Sequence, residues 1–143
     1  MIVLDTTVLV YATGAEHEFR APCRELVQAV ADGRIEAVTT AEVVQEFVHV
    51  RARRRERAEA AELGAAFADL LAPLLVVTGE HLAAGLRLFR DSKLLGAFDA
   101  VLAAAALSQG ASALVSAGRG FADVSGLTHL VPDPVTIRRL LEE

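Results

Sequence analysis

Asp5 closes an apolar run, "MIVLD", and is followed by Thr6, Thr7 and a second apolar stretch. A carboxylate between hydrophobic runs is costly to bury unless something offsets its charge. Two further acids stand in comparable surroundings. Glu46 lies in "TTAEVVQEFVHV", one turn after Glu42, and Asp99 lies near the start of the almost wholly apolar "GAFDAVLAAAALSQG". Brought within a few Å, three carboxylates repel and raise each other's pKa unless a cation sits among them. Hard oxygen donors without His or Cys partners suit Mg2+ or Mn2+. A partly hydrated ion of that kind serves in-line attack on a phosphodiester, by acidifying water and neutralising phosphoryl charge. Each acid also has a plainer reading. Asp5 is placed for an Asx-turn or cap after a strand. Glu46 belongs to a polar stripe with Glu42, His49 and Arg53, and Asp99 fits an N-terminal cap.

The elements that must carry these acids alternate between strand and helix. "MIVLD" (1–5), "IEAVTT" (35–40), "LLVVT" (74–78), "ALVSA" (113–117) and "THLVP" (128–132) read as short strands. "EFRAPCRELVQAVADGR" (18–34) reads as a helix with Leu26, Val27 and Val30 inward and Gly33 at its end. Residues 41–54 form a helix with Val43, Val44, Phe47 and Val48 inward, and residues 57–72 form another, ended by Pro73. "EHLAAGLRLFRD" (80–91) is amphipathic, and residues 96–110 are apolar on nearly all sides and hence a buried helix. "PVTIRRLLE" closes the chain, with proline in its first turn. The pattern predicts one α/β domain over residues 1–143, with a mostly parallel sheet of four to five strands covered by helices on both faces. Ligands of such sheets collect at the carboxyl ends of the strands. Asp5, the Thr39–Thr40 pair before Glu46, and Ser116 all fall there. Asp5, Glu46 and Asp99 are therefore expected to converge.

Composition narrows the function classes. The 143 residues are 53% hydrophobic, with one Tyr and no Trp, so the core is expected to be Ala, Val and Leu. No apolar stretch approaches the roughly 20 residues that span a bilayer, and no signal peptide is expected. Cys23 is the only cysteine, which excludes an internal disulfide and fits a reducing cytoplasm. A net charge of −5 argues against nucleic-acid binding through overall electrostatics, though not against a local basic patch or a metal-bridged phosphate.

Taken in order, "MIVLDTTVLV", "TTAEVVQEFVHV", "GAFDAVLAAAALSQGASALVSAGRGF" and "GLTHLVP" resemble a PIN-domain nuclease, specifically the VapC-type toxins of bacterial toxin–antitoxin pairs. The resemblance covers nearly the whole chain. It implies a metal-dependent endoribonuclease that cuts RNA, is held inactive by a cognate antitoxin and is usually a homodimer. Residue by residue it implies Asp5, Glu46 and Asp99 as catalytic, metal-binding acids, with Thr7 and Ser116 in support. Glu42 competes with Glu46; the six-residue interval from Thr40 favours Glu46. The turn "SAGRGF" departs from the family pattern, which has a fourth acid where Gly118 stands. Impaired activity is the expectation.

Among the basic residues of "RARRRER", Arg51, Arg53, Arg54, Arg55 and Arg57 are candidates for RNA phosphates, as is Arg119. Helix-surface ion pairs with the following "AEAAE" are the plainer reading. Self-association or antitoxin binding is expected through the apolar-rich "AELGAAFADLLAPLL". A haloacid-dehalogenase-like loop would need an acid at Thr7. One Glu-x-x-His pair (Glu46, His49) is half of what a di-iron bundle needs, and the four histidines lack zinc spacing. A catalytically inactive PIN fold that only binds antitoxin or RNA is the rival from another class.

Overall fold

A computed structural model describes residues 1–143. Its centre is a four-stranded, wholly parallel sheet in the order β2-β1-β3-β4. The strands are β1 (Ile2–Leu4), β2 (Ala37–Val38), β3 (Ala113–Val115) and β4 (His129–Leu130). Every residue of β1 and β3 is buried, which explains their unbroken apolar sequence. The chain steps from β1 outward to β2, then returns across β1 to β3. That reversal opens a crevice between the carboxyl ends of β1 and β3, the usual ligand position in such sheets.

Seven helices surround the sheet: α1 (Thr6–Thr13), α2 (Arg20–Ala31), α3 (Ala41–Ala52), α4 (Arg57–Leu70), α5 (Gly79–Asp91), α6 (Ala97–Ser108) and α7 (Pro134–Glu142). They pack as α1 with α2 and α3, α2 with α7, α3 with α4, and α5 with α6. Two glycines permit the last two pairings. A Cβ on Gly64 would collide with Val48 Cγ2, and one on Gly85 would fall 2.7 Å from Val101 Cα. The buried face of α6 is nearly all alanine (Ala100 and Ala103 to Ala106), as its composition predicts. No helix is long and apolar enough to cross a membrane.

Two expectations need correction. Residues 74–78 are not a strand. They touch the sheet through one bridge, Leu75 with Thr40, while Val76 is 75% exposed and Thr78 turns away to cap α5. Residues 6–13, where no element is expected from the residue pattern, form α1.

Candidate active site

The register of β1 on β3 builds the site. Leu4 lies opposite Val115, and the Asp5 amide donates to the Val115 carbonyl (3.0 Å), so Asp5 and Ser116 emerge side by side. Asp5 is buried and occupies the N-cap position of α1, yet its carboxylate makes no capping bond. Oδ2 instead accepts from Ser116 Oγ (2.6 Å) and Thr7 Oγ1 (3.2 Å). Both hydroxyls are themselves fixed by backbone donors, Gly118 N–H to Ser116 Oγ (2.9 Å) and Ala117 N–H to Thr7 Oγ1 (3.0 Å). Each hydroxyl therefore has its proton free for Asp5. The plainer reading of Asp5 as a cap does not hold.

Thr40 starts α3 by accepting from the Val43 N–H (3.1 Å), which sets the phase of that helix. One and a half turns on, Glu46 Oε2 accepts from Thr6 Oγ1 (3.0 Å), joining α3 to the first turn of α1. Asp99 is the third residue of α6, whose N-cap is Gly96, and it caps nothing. Burial, then the negative charges of Asp5 and Glu46, push its carboxyl up to about 6. Glu42 is not among the groups that raise it. None of the three carboxylates has an ion-pair partner, since the salt bridges join Arg51 to Glu59 and Arg90 to Asp91.

A groove of about 1200 Å3 collects these acids. Its lining includes Asp5, Glu42, Glu46 and Asp99, the guanidinium of Arg57, the imidazole of His49, and apolar side chains of α5 and α6 such as Leu82, Leu86 and Phe98. Unpaired carboxylates in mutual electrostatic reach form a donor set suited to a hard divalent cation. No three acidic, histidine or cysteine side chains are placed to hold an ion as they stand. Shared ligation requires side-chain rotation or bridging water, which Mg2+ in particular retains.

The remaining sequence candidates divide. A Cβ on Gly118 would stand 3.2 Å from Ser116 Oγ and 3.8 Å from Asp99 Oδ2, so the position faces the site. Arg51 does not serve as a free cation. It donates to Glu59 (2.8 Å) and to the Thr13 carbonyl (2.8 Å), with a side chain only 16% exposed, and so ties α3 to α4 and α1. Arg53, Arg54 and Arg119 are exposed, and Arg53 contacts His49 (2.9 Å). Arg57, one of the "RARRRER" candidates, lines the groove. Two contributors were not anticipated, Thr6 and His129, whose Nε2 lies 2.9 Å from the Ser116 carbonyl. Thr6 had a signal, its adjacency to Asp5; His129 had none beyond residue type. The apolar residues of α4 turn inward, with Phe67 buried and Leu63 and Leu70 partly so. None of the large exposed hydrophobics lies on α4; five of them cluster as Leu82, Leu86 and Phe89 on α5 and Leu94 and Phe98 around the start of α6.

The PIN-domain family pattern matches residues 2–127. Ribonuclease VapC7 of Mycobacterium tuberculosis (strain ATCC 25618 / H37Rv) is 56% identical over 145 residues, covering 99% of this chain and 98% of that protein. The chain belongs to the VapC-type PIN-domain family. Two more distant VapC relatives align over nearly their whole length. Ribonuclease VapC13 of the same strain and VapC ribonuclease Mb1869c of Mycobacterium bovis (strain ATCC BAA-935 / AF2122/97) are each 29% identical over 133 residues. Those alignments cover 91% of this PIN domain and 99% of each relative.

Proposed function

We propose that this PIN domain is a divalent-metal-dependent endoribonuclease acting as the toxin of a toxin–antitoxin pair. The observation that carries the reading is the unpaired acid trio at the β1–β3 crevice, where Asp99 is repelled by Asp5 and Glu46. The relatives, all named as ribonucleases of the VapC series, support RNA as substrate. Asp5, Glu46 and Asp99 would hold Mg2+ or Mn2+. When bound, the ion supplies acidification of the attacking water and neutralisation of charge on the phosphoryl oxygens. Ser116 and Thr7 orient Asp5, so that one carboxylate oxygen is committed and the other is left without a protein partner. Arg53, Arg54 and Arg119 are exposed donors for flanking phosphates, and Arg57 shares the acidic groove.

The same groove suits a cognate antitoxin, because apolar walls beside unpaired acids favour an amphipathic segment with a basic side chain. Phe89 and Leu94, exposed apolar residues that do not line the groove, favour a homodimer beside it. A lone reduced cysteine and an RNA substrate favour the cytoplasm.

A second reading, an inactive binding module, draws on Gly118, which leaves the position facing Asp99 without a carboxylate. Incubating single-stranded RNA with the protein separates the two readings. Nuclease action predicts cleavage that needs Mg2+ or Mn2+ and disappears in Asp5→Asn. Antitoxin binding without cleavage, in this chain and in Gly118→Asp, would establish the module.

A further inference from the structure

We propose that Thr6 is the positioning residue that sets Glu46 toward the cation, an inference that rests on the metal-dependent reading above. Glu46 is exposed on α3, and a glutamate side chain has three rotatable bonds and much rotamer entropy to lose. Its only hydrogen bond in the molecule is the one from Thr6 Oγ1 to Oε2, at 3.0 Å. Without that bond nothing distinguishes the inward orientation from those in solvent. The hydroxyl is well placed for the task. Thr6 is 5% exposed, β-branched and in the first turn of α1, so its χ1 is stiff.

The bond links two of the three chain segments that supply the acids. Thr6 follows Asp5, whose amide is anchored on β3 by the Val115 carbonyl. At the far end of α1, Arg51 of α3 donates to the Thr13 carbonyl (2.8 Å). Helices α1 and α3 are thus fastened at both ends, and Thr6 is the fastener that ends on a site carboxylate. The hydroxyl occupies Oε2 and leaves Oε1 with no protein partner, free to ligate. Hydrogen bonds of this kind behind a ligating carboxylate fix its orientation, and their loss weakens metal affinity by roughly 10- to 100-fold.

The test is Mn2+ titration calorimetry on the full chain as wild type, Thr6→Val, Thr6→Ser, Glu46→Gln and the Thr6→Val/Glu46→Gln double variant. Thr6→Val keeps the shape of the side chain and removes the hydroxyl, and it should weaken Mn2+ binding about 10-fold or more. Thr6→Ser keeps the hydroxyl and should stay within about twofold of wild type. The double variant should be no weaker than Glu46→Gln alone, since both changes break one linkage. The inference is overturned if Thr6→Val binds as wild type, if Thr6→Ser is as weak as Thr6→Val, or if the two losses add in full. Weakening by Glu46→Gln without weakening by Thr6→Val overturns this inference alone. A wild-type protein that takes no Mn2+ overturns the metal-dependent reading with it.

Discussion

Asp99→Asn removes a negative charge that burial, Asp5 and Glu46 all oppose, so the metal-free protein should gain stability from it in mild base. The carboxyl stands at about 6 against an ordinary 3.8, so the native state holds this proton more tightly than the unfolded chain does. Below about pH 4 both states are protonated and nothing is lost. As pH rises from about 4 to about 6 the unfolded chain ionises first, and stability falls; above about 6 the penalty is complete. The shift has a ceiling of about 3 kcal/mol at about 1.36 kcal/mol per pH unit. Asp99 is only partly buried, so solvent screening reduces this to about 1–2 kcal/mol. For a domain of this length that corresponds to roughly 3–7 °C in the unfolding midpoint. The assay is thermal unfolding of wild type and Asp99→Asn in excess chelator, at about pH 8 and about pH 4.5. The variant should melt higher at the first pH, and the gap should shrink towards zero at the second. Saturating Mn2+ should reverse the order at the higher pH, because only wild type keeps all three acids. Equal midpoints in chelator at the higher pH, or a gap that widens in acid, would refute the argument.

Gly118→Asp should raise Mn2+ affinity and RNA cleavage together, because the new Cβ faces Asp99 Oδ2 at 3.8 Å and the backbone there (φ −73, ψ 120) accepts any L residue. Without metal the same variant should lose stability in mild base, since it adds a fourth unpaired carboxylate. Calorimetry and cleavage rates equal to those of the parent would show that the position contributes nothing. Arg51→Ala should cost about 1–3 kcal/mol in urea unfolding, through the lost Thr13 cap and the part-buried pair with Glu59. A loss under about 0.5 kcal/mol would place Arg51 among ordinary surface charges.

Which features the sequence displayed follows from how local their causes are. Helix α6 was legible because a run of alanines and leucines has no polar face to offer solvent. Asp5 and Asp99 stood out against apolar neighbours for the same reason. The choice of Glu46 over Glu42 rested on the interval from Thr40; the Thr40 cap sets one phase for both acids, and both line the groove. Helix α1 was hidden because "TTVLVYAT" is rich in β-branched residues, and only tertiary packing of Val8, Leu9 and Ala12 makes it helical. Residues 74–78 failed in the opposite sense: a short apolar run does not tell a strand from an edge segment with one bridge. The arginines show a third limit. Their spacing does not reveal that Arg51 turns inward to Thr13 and Glu59 while Arg53 and Arg54 stay outside. Thr6 was missed because its partner is 40 residues away on another helix.

Whether Asp5, Glu46 and Asp99 share one divalent cation can be read directly from the anomalous scattering of Mn2+ in crystals of this chain soaked with MnCl2. One strong peak is expected at the carboxyl ends of β1 and β3, ligated by Asp5 and Asp99 and reached by Glu46 directly or through water. A fully soaked crystal with no peak there, or with its ordered Mn2+ elsewhere on the surface, would contradict it.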